Sequence, residues 1–117
     1  MKFRDTRIFQ LHADFCRMLA NPKRLMIIAL VSERPMSVGE IAKAIDTPLP
    51  TVSQHLRALR NRHIVASRKE GQTVIYSATD PRIIKACRLI RTALLDGMKE
   101  RGELAREVAA EGDLFDA

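Results

Sequence analysis

The stretch "PTVSQHLRALRNRHIV" (residues 50–65) decides how the chain is read. Val52, Leu56 and Leu59 recur at three- and four-residue spacing, the period of one apolar helix face. Thr51, Gln54, Arg57 and Arg60 or Asn61 recur at the same spacing on another face. Hydroxyl, amide and guanidinium groups therefore stand in one row with no acid among them. An ordinary solvated helix mixes both signs of charge. This row calls for an anionic, hydrogen-bonding partner. Proline is tolerated in the first turn of a helix and not inside one, so a helix is predicted from Pro50 to about Arg62.

On the N-terminal side, "DTPLP" is a turn. Before it, Ser37 and Glu40 stand three residues apart, the spacing of a capping box. They open a short helix that buries Val38, Ile41 and Ile45. "ERPMSV" reads as a break. Asn21 and Pro22 are a cap and a first helical residue, starting a helix to about Ser32 with Leu25, Ile28, Ala29 and Leu30 inward. Residues 3–20 form the first helix, with an apolar stripe of Ile8, Leu11, Phe15, Met18 and Leu19.

On the C-terminal side the period changes. In "IVASRKEGQTVIYSA", β-branched residues flank Gly71, which predicts strands over 64–69 and 73–78 joined at a Glu-Gly-Gln tip. Asp80 and Pro81 cap and start a last helix, with Ile83, Cys87, Ile90, Leu94 and Met98 as its stripe and Gly102 near its end. The order is mainly α with a β-hairpin: a winged helix-turn-helix. One domain is expected over residues 1–103, followed by an acidic tail over 104–117.

The chain has 117 residues and a net charge of +6. Its distribution says more than its sum. Residues 57–70 hold Arg57, Arg60, Arg62, Arg68 and Lys69 against the single acid Glu70, whereas five acids follow residue 100. A basic stripe fits a polyanion. With no Trp, one Tyr and four Phe, stacking on single-stranded bases is not expected, because that mode needs several exposed rings. No segment reaches the ~20 apolar residues of a membrane span, and "MKFRDTRIFQ" has no apolar signal core. The expectation is a cytoplasmic protein with reduced thiols. No Gly-rich phosphate loop, nucleophile elbow or acid pair beside a histidine is present, so neither an enzyme nor a cofactor is expected.

Double-stranded DNA fits the row. Side chains near the N-terminal end of a helix reach base edges in the major groove. Gln54 can pair with adenine, and Arg57 with guanine or a phosphate. Thr51 and Ser53 can donate to phosphates at the helix N-terminus. Arg60 extends the row. The hairpin offers Arg68, Lys69, Gln72 and Thr73 to the backbone or minor groove. His55 sits at the edge of the apolar face, where packing with a structural or phosphate hydrogen bond outweighs base contact. His63 completes the corner between helix and strand.

Three motifs, "LANPKRLMIIAL", "PTVSQHLRALRNRHIV" and "RKEGQTVIYSAT", resemble the second helix, the recognition helix and the wing of the ArsR/SmtB family of bacterial repressors. The resemblance covers roughly residues 10–100. It implies a homodimer through the first and last helices, a palindromic operator, and a small inducer that releases the DNA. It also exposes departures. Where many members carry two metal-binding cysteines around a valine, Ser37 and Gly39 flank Val38. Where others bind zinc on the last helices, Asp80, Arg82, Ala93 and Asp96 stand, so no metal site is expected at either place. Pro48-Leu49 replaces hydroxyl or amide residues before the recognition helix.

Cys16 and Cys87 are the candidate sensing residues. Three readings stand open: a thiol switch answering reactive sulfur or oxidant, two inert packing cysteines, and a soft-metal or arsenite site with His12, which shares a face with Cys16 at i, i+4. Family members that use a dithiol pair carry one cysteine in the second helix, and this chain has none there.

Overall fold

The computed structural model describes residues 2–102. The first helix is shorter than predicted. It is α1, Arg7–Leu19, not residues 3–20. The Asp5 carboxylate accepts the Arg7 backbone N–H at 2.9 Å and the Arg7 guanidinium at 2.7 Å, which turns the chain before the helix can begin. α2, Pro22–Glu33, starts as its sequence dictates. Asn21 Oδ1 accepts the Arg24 N–H at 3.1 Å, supplying one orphan donor of the first turn with a partner. Ile27, Ile28, Ala29 and Val31 are its buried residues, while Leu25 and Leu30 are only half-buried. Residues 25–31 are an unbroken apolar run. Such a run carries no period from which the inward face can be read.

α3, Val38–Ala44, opens on the expected capping box: Ser37 Oγ accepts the Glu40 N–H and the Glu40 carboxylate accepts the Ser37 N–H, each at 3.1 Å. α4 runs Leu49–Asn61. Both helices close in the same way. After α3, Thr47 N–H reaches Ala42 O at 3.0 Å and Asp46 N–H reaches Lys43 O at 3.3 Å. After α4, Ile64 N–H reaches Leu59 O at 3.0 Å and His63 N–H reaches Arg60 O at 2.9 Å. These are Schellman closures, which place one residue in the left-handed region. Asp46 (φ 47°) and His63 (φ 59°) take that position without being glycine. Thr79 Oγ1 donates to His63 O at 2.7 Å and helps hold the second corner.

The hairpin is β2, Val65–Glu70, paired antiparallel with β3, Thr73–Ala78. Glu70 faces Thr73, so Gly71 and Gln72 alone form the turn. Gly71 has φ 62°, the first-position requirement of a two-residue type II′ turn. "ERPMSV" is not merely a break. Met36–Ser37 is a two-residue strand, β1, on the outer edge of β3, giving the order β1-β3-β2. Two residues are too few to show an alternation.

The core lies where α2, α3, α4 and the sheet meet. Ile27, Ile41, Val52, Leu56 and Leu59 have no exposed surface. Each contributes roughly 1.5–3 kcal/mol by leaving water. The three inward residues read from the α4 period, Val52, Leu56 and Leu59, are the three buried ones. α4 is thus pinned along one side, and its opposite side is free to meet a partner.

The chain divides into two compact units, one ending at Thr79 and the other beginning at Asp80. The second contains α5, Pro81–Glu100. Asp80 caps it, accepting the Arg82 N–H at 2.9 Å; hydrogen bonds from the Arg82 side chain and backbone hold this carboxyl down at about 2. Gly102 (φ 68°) follows its end. Ile84 and Cys87 are buried, but Ile90 and Leu94 of the predicted stripe are 69% and 56% exposed. The middle of the stripe, at Ile90 and Leu94, is therefore an apolar surface left in water. The expected acidic tail over 104–117 lies outside the described residues.

Candidate nucleic-acid interface

Three buried residues fix the rotation of α4. At about 100° per residue, the direction opposite Val52, Leu56 and Leu59 is shared by Pro50, Gln54, Arg57 and Asn61. All four are exposed. Thr51, Ser53 and His55 flank this row and are half-buried. The row read from the sequence is thereby shifted: Pro50 joins it, Asn61 rather than Arg60 continues it, and Thr51 moves to its margin.

Charge on this side is not compensated locally. α4 has no acid in its first turn and none anywhere along it. Among the described residues, Arg57, Arg62 and Lys69 have no ion-pair partner. Arg60 is exposed but tethered: its Nη1 donates to Ser67 Oγ at 3.3 Å, joining the end of α4 to β2. In the wing, Arg68 Nη2 meets Glu70 Oε1 at 3.2 Å, so part of the tip charge is spent internally. Register places Arg68 opposite Ile75 and Lys69 opposite Val74, on opposite faces of the hairpin. Gln72 in the turn and Thr73 beside it are exposed.

His55 belongs to the scaffold of this surface. Its Nδ1 accepts from Arg24 Nε at 3.1 Å, so the neutral ring carries its hydrogen on Nε2. Burial first, then the Arg24 and Lys23 cations, lower its pKa from the ordinary value of 6.5. Arg24 Nη1 also donates to Met18 O at 3.3 Å and lies 2.9 Å from Met18 Sδ. One guanidinium on α2 thus grips the end of α1 and the middle of α4. No sequence signal joins Arg24 to His55, which is 31 positions away.

The N-terminal tip of α4 is unlike a phosphate cradle. Pro48 is the N-cap residue with no side-chain cap bond, and Pro50 is in the first turn. Prolines lack an N–H. The Thr51 N–H is already taken by Pro48 O at 3.1 Å. The anion site expected there through Thr51 and Ser53 has few backbone donors to build on. Leu49, half exposed at 50%, stands in their place.

The candidate sensing residues differ from each other. Cys16 is exposed on α1, with His12 exposed one turn before it. Cys87 is buried on α5. Among the described residues, no disulfide is formed, and no three His, Cys, Asp or Glu side chains gather closely enough to hold a metal ion. None of the described helices is long and apolar enough to cross a membrane.

Comparison with known proteins agrees with this architecture. The family model described as "Bacterial regulatory protein, arsR family" matches residues 21–67, from the cap of α2 into β2. The HTH-type transcriptional regulator Rv0081 of Mycobacterium tuberculosis is 32% identical over 106 residues, covering 90% of this chain and 93% of that protein. Its crystal structure matches with a TM-score of 0.73 at 34% identity, covering 80% of this chain and 95% of that one. The biofilm growth-associated repressor of Agrobacterium fabrum is 38% identical over 78 residues, 67% of this chain and 64% of that protein. The solution structure of a homodimeric winged helix-turn-helix DNA-binding domain, Mb0332 of Mycobacterium bovis, matches with a TM-score of 0.68 at 26% identity, covering 80% and 87%. With sequence and fold agreeing over most of its length, the chain belongs to the arsR family of bacterial regulatory proteins and is a transcriptional regulator, not an enzyme.

Proposed function

We propose that the protein is a homodimeric repressor that reads double-stranded DNA with α4 and steadies it with the β2–β3 wing. The observation that carries this reading is the acid-free exposed row of Pro50, Gln54, Arg57 and Asn61, turned away from a helix face that is wholly buried. Gln54 reads an adenine edge and Arg57 a guanine edge or a phosphate. Arg60, Arg68, Lys69, Gln72 and Thr73 hold the backbone on either side, with Thr51 and Ser53 at the margin. His55 positions α4 through Arg24 rather than touching a base.

Dimerisation is supported by the apolar side chains left in water: Ile8 and Leu11 on α1 at 62% and 65%, and Leu89, Ile90 and Leu94 on α5. The likeness to a homodimeric domain supports it further. Two recognition helices then meet major grooves about one helical turn apart, which requires a palindromic operator. Residues 1–103 are the working unit in this reading.

Salt and sequence dependence test the proposal together. Affinity for a duplex should fall steeply as salt rises. Gln54→Ala should lower the preference for an operator over random duplex by ~1–3 kcal/mol. Equal loss on both duplexes would remove Gln54 from base reading.

Release from DNA is the finer point. An exposed thiol on α1 supports Cys16 as the residue that meets a reactive sulfur species or oxidant first, with Cys87 as its candidate partner. Cys16→Ser and Cys87→Ser proteins should then stay on DNA in the presence of inorganic polysulfide while the parent leaves. Release equal to the parent's removes the thiol switch and leaves the inert-cysteine and the soft-metal or arsenite readings.

A further inference from the structure

The tip of α4 combines two features. First, it is poor in donors. Pro48 and Pro50 have no N–H, no side chain caps the helix, and the Thr51 N–H is bonded to Pro48 O at 3.1 Å. The positive end of the helix therefore has little with which to grip a phosphate. Second, it is apolar and open. Leu49 is 50% exposed as the first residue of the helix, and exposed Pro50 stands in the same outward row as Gln54 and Arg57. Half of the Leu49 surface lies outside the apolar face that holds the helix.

The major groove presents one apolar group to such a tip, the C5-methyl of thymine. Phosphates offer anionic surface, which a leucine and a proline recognise poorly. Residues near the N-terminal end of a recognition helix approach the base edges most closely. We infer that Leu49 and Pro50 form a thymine-methyl-reading tip, so that each half-site carries thymine next to the bases contacted by Gln54 and Arg57. This inference rests on α4 lying in the major groove. It adds a specificity-determining pair for which hydrogen bonding is not the means of discrimination.

The test uses the full-length protein and a duplex that it selects from a random-sequence pool. Each thymine of the selected half-site is replaced in turn by deoxyuridine, which removes the methyl and keeps every hydrogen-bonding group. One or two replacements should weaken binding about fourfold per methyl, the loss expected for one buried carbon. The same replacements should cost the Leu49→Ser protein little, because its tip no longer gains from the methyl. Leu49 is exposed, so this variant retains the fold, and circular dichroism checks that it does. Tight binding that ignores every deoxyuridine replacement overturns the inference while leaving groove reading intact. So does an equal loss in the parent and in Leu49→Ser. If the pool yields no enriched sequence, the major-groove reading fails and this inference fails with it.

Discussion

Replacing Arg24 by methionine should loosen the surface without touching it. The Arg24 guanidinium donates to His55 Nδ1 at 3.1 Å and to Met18 O at 3.3 Å, both in part-buried surroundings. Methionine keeps much of the apolar stem and loses both bonds. A hydrogen bond from a charged donor contributes about 1.5–3 kcal/mol. Taking the lower end for half-buried groups, the two together give an expected loss of about 2–3 kcal/mol. Urea denaturation at fixed protein concentration measures it, since a dimer's stability depends on concentration. The pH dependence is a second readout. His55 has a folded pKa below its ordinary 6.5, from burial first and then from Arg24 and Lys23. The unfolded chain therefore takes up this proton first as pH falls. The His55 contribution is present above about pH 6.5 and declines as pH drops from there toward the lower folded value. Arg24→Met removes one of the two cations, so its stability should decline less over that window. A loss below 0.5 kcal/mol together with an unchanged pH dependence would refute the idea that Arg24 braces α4.

Three further outcomes follow from the same geometry. Leu56 is wholly buried, so Leu56→Ala should cost about 2–5 kcal/mol in denaturant titration. Ser37→Ala removes the acceptor of the Glu40 N–H and should cost ~1 kcal/mol. Arg57→Ala should weaken binding to every duplex if Arg57 holds a phosphate, and the slope of log affinity against log salt should fall by about 1; a change confined to one base position would instead make it a base reader.

The helix order was legible because capping chemistry and apolar period agree. Ser37 with Glu40, Asn21 with Pro22, and Asp80 with Pro81 each mark a start that the structure reproduces. Val52, Leu56 and Leu59 announce the buried side of α4, and from it the exposed row follows. Other features had no local signal. Asp5 and Arg7 delay the start of α1 through a two-residue interaction that no periodicity reveals. β1 is too short to alternate and exists because β3 offers it an edge. Arg24 and His55 meet only through the packing of α2 on α4. On α5, the period correctly marks an apolar stripe, yet Ile90 and Leu94 are exposed in the single chain. Hydrophobic period tells which face wants cover, and not which molecule supplies it.

The central claim is that two copies of α4 read bases through Gln54 and Arg57. Selection from a random duplex pool, run side by side with the parent and the Gln54→Ala/Arg57→Ala double variant, tests it most directly. The parent should enrich a two-fold symmetric sequence whose half-sites lie about one helical turn apart, and the double variant should enrich none. The same sequence emerging from both proteins would contradict the account.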